Sequence, residues 1–460
     1  MKVLADPDRL LGDGLAAIRK QFAVPASFPP QVLAEAETAK DRAPTEHEDW
    51  TARAFVTLDP ASSTDLDQAF WIEPAGADLM LHYALADIGW FVPPGGALEA
   101  EAWHRAVTLY LPDDKARVYP AVLSEGAASL LPDGPRPSIV ASVRCQADGT
   151  VSLEAMTRAV IRSQAKLAYE TVDIATVPHL ADFAERMRRS EDARGAARVD
   201  PPDQEVERGV DGTFHLTFRP WLPSETANAA LSLAANIAIA HSLLAAGTGL
   251  FREMAPPDDR ALARLRNTAR GLGLTWPANA TFAQFERTVD PRTNAGASFQ
   301  LAARRSGGGA HYLPFTPGHI PWHAALGATY THATAPMRRL ADRYVLETML
   351  AIANGRSVPD DSAALFAKLA GAMDTADARE GAVERAVIDL AEAALLAGRE
   401  DEVFTATVTE LDERGARIQL RDLPVLARVD AHRIASGDEI QVRLVSADPV
   451  RRTLNFKRVS

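Results

Sequence analysis

A long run without a charged residue limits the folds open to this chain. From Thr226 to Phe251 the sequence has no Asp, Glu, Lys or Arg. The run is long enough to span a bilayer, but it is dominated by alanine and includes Asn228, Asn236 and His241. It therefore predicts a helix buried inside a large domain, and no contact with a membrane. A chain of 460 residues, 47% of them hydrophobic, can supply the core that such a helix needs.

The order of predicted elements divides the chain into three parts. Strand-like runs such as QAFWIEP and LMLHYALADIGWFV fill residues 50–165, and helix-like patterns dominate from 165 to 400. Strands followed by helices predict an α+β domain, a mixed sheet packed with helices. From 401 to 460, five short alternating runs fit a small OB-fold barrel, a common platform for oligonucleotides. The predicted domain limits are 1–48, a small helical segment that fits a helix-turn-helix arrangement, 49–399 and 400–460.

Charge and cysteine content restrict the compartment and the partners. The net charge of −12 argues against indiscriminate binding of nucleic acid over the whole surface, although a local basic channel stays open. The single cysteine, Cys145, excludes a disulfide framework and predicts a reducing cytoplasm. Nothing in the sequence indicates an obligate protein partner.

Three aspartates crowd the end of a predicted strand in FVTLDPASSTDLDQAF, residues 55–70. At about 4 Å and an effective dielectric near 20, each pair of like charges repels by roughly 4 kcal/mol. In an extended segment Asp65 and Asp67 point to the same face, and a loop could bring Asp59 to them. Three carboxylates converging there suit Mg²⁺, with Mn²⁺ as the alternative. An acidic turn is the simpler interpretation, while an aspartyl phosphatase pattern fails because Ala69 stands where threonine is needed.

Two adjacent arginines mark the stretch YTHATAPMRRLADRYVLETMLAIANG, residues 330–355. Thr334 and Pro336 predict a helix start, which places Arg338 and Arg339 in the first turn. Positive charge is disfavoured there by the helix dipole, so an anion such as phosphate would explain the pair. A salt bridge to a nearby carboxylate is the open alternative. Carboxylates for metal, arginines for phosphate and an OB-fold together suggest cleavage of a phosphodiester in single-stranded nucleic acid.

Five stretches in order resemble one family, the RNase II/RNase R exoribonucleases with their RNB catalytic domain. The resemblance covers residues 50 to 400 and extends to the C-terminal barrel, which is similar to an S1-type RNA-binding module. The five stretches are VTLDPASSTDLDQAF, LHYALADIGWFVPPGGALEAEAWHRAVTLYLPD, AVIRSQAKLAYETV, YTHATAPMRRLADRYV and VERAVIDLAEA.

The resemblance implies processive hydrolysis of single-stranded RNA from its 3′ end, with release of nucleoside 5′-monophosphates. It implies that metal is held by Asp59, Asp65, Asp67 and Gln68, and that Arg338 holds the scissile phosphate.

The resemblance also implies a set of side chains that bind the substrate: Tyr110, Tyr169, His332, Thr334, Arg339 and Glu384. The two tyrosines would contact the terminal nucleotides, and the glutamate would approach the end of the RNA. On residue type alone both tyrosines would be assigned to the core or to a strand edge.

Several positions depart from the family pattern. Gln68 stands where the family has a fourth aspartate, and Ala229–Ala230 replaces a Glu-Glu pair before Asn236, which affects sugar discrimination. In the barrel, Arg414 and Arg417 replace aromatic residues and could still stack on bases. Forty-eight N-terminal residues cannot hold the two cold-shock domains that usually precede the catalytic domain, so we expect a weaker hold on long RNA. An RNA-binding or regulatory protein whose nuclease site is weakened at Gln68 is the alternative function.

Overall fold

The computed structural model describes residues 2–4, 10–197, 203–208, 213–219, 221–290, 293–358, 361–412, 415–430 and 432–459. The strands in these ranges are β1 (Lys2–Leu4), β2 (Glu48–Asp49), β3 (Thr57–Asp59), β4 (Gln68–Ala75), β5 (Asp78–Ala86), β6 (Leu109–Tyr110), β7 (Lys115–Ala116), β8 (Arg136–Cys145), β9 (Val151–Ile161), β10 (Lys166–Ala168), β11 (Asp203–Arg208), β12 (Phe214–Arg219), β13 (Leu250–Glu253), β14 (His311–Pro314), β15 (Val403–Asp412), β16 (Gly415–Leu420), β17 (Leu426–Val429), β18 (Glu439–Asp448) and β19 (Thr453–Arg458).

The helices are α1 (Leu10–Gln21), α2 (Pro30–Ala39), α3 (Ile88–Phe91), α4 (Ala97–Arg105), α5 (Leu180–Arg194), α6 (Pro223–Ala245), α7 (Asp259–Gly271), α8 (Phe282–Glu286), α9 (Asn294–Ser306), α10 (Leu340–Ala353) and α11 (Ser362–Leu396).

A five-stranded mixed sheet forms the centre of the large domain, in the order β2-β9-β8-β5-β4. All its pairs are antiparallel except β2 with β9. The β8–β9 hairpin turns at Gly149, whose φ of 81° is costly for other residues; a Cβ there would lie 2.1 Å from the Arg186 carbonyl oxygen of α5. This sheet with its helices confirms the predicted α+β class.

Helix α6 contains most of the charge-free segment of the sequence, and it lies in the core. It is long and apolar enough to cross a membrane, yet 61% of its most apolar window is buried inside the protein. Leu231, Ile239 and Leu243 are fully buried. The Tyr83 hydroxyl of β5 bonds to Ser232 Oγ of α6 at 2.6 Å, so the helix packs on the central sheet.

The sequence predicts one strand that is too long. The run LMLHYALADIGWFV was predicted as a strand, but β5 ends at Ala86 and α3 follows. Asp87 ends the strand because its carboxylate accepts a hydrogen bond from Trp90 N at 3.2 Å, which caps the short helix.

The N-terminal helices dock on the large domain. Leu15 and Ile18 of α1 are buried against it, and Gly14 lies so close to Leu390 of α11 that a Cβ would meet that side chain at 2.5 Å. Glu35 of α2 caps α4 by accepting Ala97 N at 2.6 Å. The strand β1, which the sequence did not predict, pairs with β12. The three domain limits and the helix-turn-helix stay predictions.

The C-terminal strands form the predicted five-stranded antiparallel barrel, in the order β17-β16-β15-β18-β19. Its separate core includes Val408, Ile418 and Val442, and Leu396 at the end of α11 enters it. Helix α11 therefore joins the barrel to the large domain.

Glu392 of α11 holds the barrel against that helix. Its Oε1 accepts hydrogen bonds from Leu426 N of β17 and Gln204 Nε2 of β11, both at 2.7 Å. The carboxyl lies beside a cavity of about 350 Å³ that Arg417 and Arg452 also line. Burial raises the pKa of Glu392 to about 8, because the two hydrogen bonds only partly offset the loss of water and Asp389 repels it.

We expect Glu392→Gln to be more stable than the native chain at pH 8 and equally stable near pH 5. A raised folded-state pKa means that the folded chain binds more protons than the unfolded chain between the ordinary pKa and about 8, so stability falls as pH rises through that window. Glutamine keeps the acceptor without the charge. Thermal unfolding midpoints measured from pH 5 to pH 8 should diverge by a few degrees at the upper end.

The exposed Glu400→Gln is the matched control, since it removes a carboxylate of the same kind from the surface. A difference between Glu392→Gln and the native chain that does not change with pH would contradict the assignment.

Candidate active site

Strand pairing places Asp59 beside Tyr169. Asp59 ends β3, which pairs in parallel with β10, with Ala168 opposite Asp59. Tyr169 N then donates to the Asp59 carbonyl at 3.1 Å. The carboxylate and the tyrosine therefore share one end of these two strands.

The loop between β3 and β4 is fixed by one buried leucine and one serine. Leu66 is fully buried, and its N–H donates to Ser129 Oγ at 2.9 Å. Ser129 Oγ in turn donates to the Thr64 carbonyl at 2.7 Å. These contacts hold the residues on both sides of Leu66, which are Asp65 and Asp67.

Asp67 connects this loop to the arginine-bearing segment. Its side chain is only 3% exposed; Oδ1 accepts Met337 N and Oδ2 accepts Arg338 Nε, each at 2.8 Å. Burial raises the pKa of Asp67 to about 6, although Arg338 and the Met337 N–H both lower it. The stretch with the three aspartates and the stretch with the two arginines thus meet directly, as a single shared site requires.

The predicted helix start in the second stretch is wrong. Helix α10 begins at Leu340, and Arg339, with φ −129° and ψ 124°, is extended. Arg338 and Arg339 thus precede the first helical turn, because Arg339 bridges to Val107 in strand fashion and Thr108 N donates to the Arg338 carbonyl at 2.9 Å. Asp342, fully buried, accepts Ala335 N at 2.8 Å and holds the turn.

Asp65 and Asp67 lie in the loop before β4, and a shared face for their side chains stays a prediction. Strand β4 begins only at Gln68. Asp65 turns to Lys115, whose Nζ donates to Asp65 Oδ1 at 2.7 Å, whereas Asp67 turns to Arg338.

The three carboxylates nonetheless form one electrostatic cluster. Burial raises the pKa of Asp59 to about 7; Arg338 lowers it, and the charges of Asp67 and Asp65 raise it further. Among the described residues, no three His, Cys, Asp or Glu side chains are spaced as metal ligands. The chemistry of the donors still fits a hard divalent cation, because these are carboxylate oxygens, buried in Asp67 and half-buried in Asp59 and Asp65, that repel one another.

Gln68 is engaged at both ends of its amide. Its Nε2 donates to the Thr334 carbonyl, and its Oε1 accepts the Tyr83 hydroxyl at 2.7 Å. The side chain therefore connects β4 to the arginine segment. This contact could not be read from the sequence, where Gln68 was predicted to be a metal ligand.

Arg338 presents its guanidinium to an open space. The side chain is 43% exposed even though its Nε is bound to Asp67. Tyr110, 49% exposed, lies beside it. Burial of the hydroxyl raises the pKa of Tyr110, so it stays neutral. An exposed ring next to an exposed guanidinium can receive a base and a phosphate together.

Tyr169 is held by helix α6. Asn228 Nδ2 donates to the Tyr169 hydroxyl at 2.7 Å, and Ser224 Oγ donates to its carbonyl at 2.7 Å. Asn228 was not among the predicted site residues, although it directly precedes the Ala229–Ala230 departure.

Three predicted substrate-binding residues have partners inside the protein. His332 Nδ1 lies 2.9 Å from the Tyr312 hydroxyl, and burial lowers the pKa of His332 well below its usual value, which keeps it neutral. Thr334 Oγ1 accepts Asn236 Nδ2 at 3.3 Å. Arg339 is paired with Asp342 at 2.7 Å, which was the salt-bridge alternative. These contacts indicate that the three side chains support the segment that carries Arg338. Direct contact with a substrate stays a prediction for all three.

On α11, Glu380 interacts electrostatically with both Arg338 and Arg339. Glu384, the predicted residue, is exposed one turn further along. Burial and the charges of Asp377 and Glu384 raise the pKa of Glu380 to about 7, while Arg339 and Arg338 lower it. The role of Glu384, which the resemblance implied, stays a prediction.

In the barrel, Arg417 of β16 lies 3.4 Å from Glu410 of β15. The prediction for Arg414 lies outside the described residues.

Two family models match the chain: the RNB domain over residues 47–354 and the RNase II-type exonuclease C-terminal S1 domain over residues 402–459. The chain therefore belongs to the RNB family of exoribonucleases, as the five resembling stretches indicated.

Individual proteins agree with this assignment. Ribonuclease R of Aquifex aeolicus is 25% identical over 96% of this chain and 70% of its own length. Exoribonuclease 2 of Erwinia tasmaniensis is 42% identical over a shorter stretch, 28% of this chain and 20% of that protein. The solved structure of Mycoplasma genitalium RNase R in complex with ribose-methylated single-stranded RNA has a TM-score of 0.86 at 19% identity, covering 100% of this chain and 79% of that one, which shows the same fold.

We expect Gln68→Asp to lower the thermal unfolding midpoint by several degrees. The shorter carboxylate leaves the Thr334 carbonyl without its donor and adds a charge to an acidic cluster, at a cost of about 1–3 kcal/mol. Gln164→Asp, at an exposed position, is the control and should change little. If Gln68→Asp instead matched the native midpoint and bound divalent cations more tightly, the family's fourth ligand position would be the correct interpretation.

Proposed function

We propose that this chain is a Mg²⁺-dependent exoribonuclease that degrades single-stranded RNA processively from its 3′ end and releases nucleoside 5′-monophosphates. One observation carries the proposal: Arg338 is tied to buried Asp67 through Nε while the rest of its side chain faces open space beside two further carboxylates. Family membership supports the reaction class.

The cation would be held within the cluster of Asp59, Asp65 and Asp67, and it would supply Lewis-acid stabilisation of the phosphate and of the leaving oxygen. Mn²⁺ fits the same oxygen donors. Because Asp67 holds Arg338 Nε, the guanidinium is oriented before a substrate arrives, and such preorganised donors stabilise developing negative charge without reorganisation.

Two tyrosines would position the last nucleotides of the RNA. The exposed ring of Tyr110 beside Arg338 offers a stacking face. Tyr169, fixed by Asn228 next to Asp59, offers a hydroxyl to the sugar. The barrel would bind RNA upstream. The single buried cysteine supports the cytoplasm as the compartment.

We expect the native chain to release labelled mononucleotide at once from 3′-labelled single-stranded RNA with Mg²⁺, and to stop when EDTA is added. With 5′-labelled RNA, the same reaction should give progressively shorter fragments. A 3′-overhang duplex run in parallel shows whether paired RNA is accepted.

In the same assay Arg338→Lys should lower the single-turnover rate by about 100-fold, because lysine cannot both hold Asp67 and fork to a phosphate. Arg356→Lys, at an exposed position away from the site, should leave the rate unchanged. An Arg338→Lys variant as fast as the native chain would remove the basis of the proposal.

The alternative is an RNA-binding protein with a weakened site, and Gln68 in place of an acid favours it. Tight binding of RNA in EDTA combined with no nucleotide release in Mg²⁺ or Mn²⁺ would establish it.

A further inference from the structure

Lys115 lies inside the acidic cluster. Its Nζ is 2.7 Å from Asp65 Oδ1 and 2.8 Å from Glu125 Oε1, and its side chain is only 19% exposed. The ammonium therefore sits between two carboxylates, one of them a predicted metal ligand. No sequence motif marks this lysine.

The fold holds Lys115 in this position. Strands β6 and β7 form a small hairpin in which Tyr110 pairs with Lys115, so both flank the open space at Arg338. Arg117 fixes the other partner, since its Nε and Nη2 donate to Glu125 Oε1 at 3.0 and 2.9 Å. Burial alone would raise the pKa of Glu125. The hydrogen bonds from Lys115 and Arg117 have the larger effect and lower this pKa, so Glu125 stays charged. The ammonium is thus held from both sides.

The negative charges of the three carboxylates in the cluster are not equally neutralised by neighbouring positive charges. Asp65 is paired with Lys115 and Asp67 with Arg338. In the part of the chain that the structure describes, Asp59 has no ion pair, and Gln68 adds no charge. Sites with two divalent ions hold them about 3.5–4 Å apart and need acid ligands for both. A positive charge already bonded to Asp65 opposes a second dication at that carboxylate.

We propose that the Lys115 ammonium is a fixed cation that takes the place of a second divalent ion at Asp65. The centre then loads one divalent cation, held by Asp59 and Asp67, whose carboxylate oxygens keep lone pairs free. Lys115 is a positioning residue, because it acts through Asp65. The inference rests on the proposed function and deepens it by assigning the metal count to a residue of this chain.

The test counts Mn²⁺ ions on the RNA-free protein by isothermal titration calorimetry, with electron paramagnetic resonance of free Mn²⁺ as a second count. The native chain should bind one ion in the cluster. Lys115→Met, of similar length and without charge, should bind two, with the added site at least tenfold tighter than any second site of the native chain. Lys115→Arg should restore the single site.

Arg117→Met is the matched control, because Arg117 contacts Glu125 and is not paired with Asp65. It should leave the count at one. Two ions on the native chain, or an unchanged count in Lys115→Met, would overturn the inference, and a native count of two overturns it even if a variant does not fold.

A different outcome of the same experiments would show that Lys115 binds phosphate. In that case Lys115→Met would weaken RNA binding and reduce its salt dependence by about one charge, with an unchanged Mn²⁺ count, and our inference would be wrong. RNA hydrolysis by the native chain is measured independently. If the native chain hydrolyses RNA but Lys115→Met binds no additional Mn²⁺ ion, only the proposed role of Lys115 is wrong. If Lys115→Met binds an additional ion but the native chain does not hydrolyse RNA, only the nuclease proposal is wrong.

Discussion

The buried carboxylate of Asp67 joins two segments that lie 270 residues apart, and the rest of the site depends on this contact. A charge that is 3% exposed is costly to bury unless it is paired and hydrogen-bonded. Here both oxygens have donors, one from the backbone of Met337 and one from Arg338. Removing a single partner of such a pair leaves an uncompensated charge, which costs about 3–5 kcal/mol. The arginine segment therefore has little freedom to move away from the acid loop.

Ordinary secondary structure sets up this contact. The parallel pairing of β3 with β10 fixes Asp59 and Tyr169, and the buried helix α6 supplies Asn228 and Asn236 as anchors. Asn236 reaches the arginine stretch by accepting Ala333 N at 3.0 Å. Because these anchors sit on rigid elements, the exposed end of Arg338 is held in one place. The nuclease proposal follows from that fixed guanidinium next to a cluster of acids.

Much of this arrangement was predictable, and the failures have physical reasons. The buried helix, the five-stranded barrel and the proximity of the acids to Arg338 follow from periodicity, spacing and family resemblance. The helix start at Thr334 was mispredicted because tertiary hydrogen bonds hold Arg339 extended ahead of α10: Thr108 N donates to the Arg338 carbonyl, and Leu340 N donates to the Ala106 carbonyl. Lys115 and Glu380 were missed, since a single lysine or one acid among several on a long helix gives no distinctive pattern. The contact of Gln68 with the Thr334 carbonyl depends on the folded chain and could not be predicted, whereas its role as a metal ligand stays a prediction.

The most direct test of the account is an anomalous diffraction map of crystals soaked with Mn²⁺ and a short RNA that carries a non-hydrolysable terminal linkage. We expect Mn²⁺ density against the carboxylates of Asp59 and Asp67, with the last phosphate within hydrogen-bonding distance of the Arg338 guanidinium. Manganese bound elsewhere, or a phosphate that lies beyond the reach of Arg338, would contradict it.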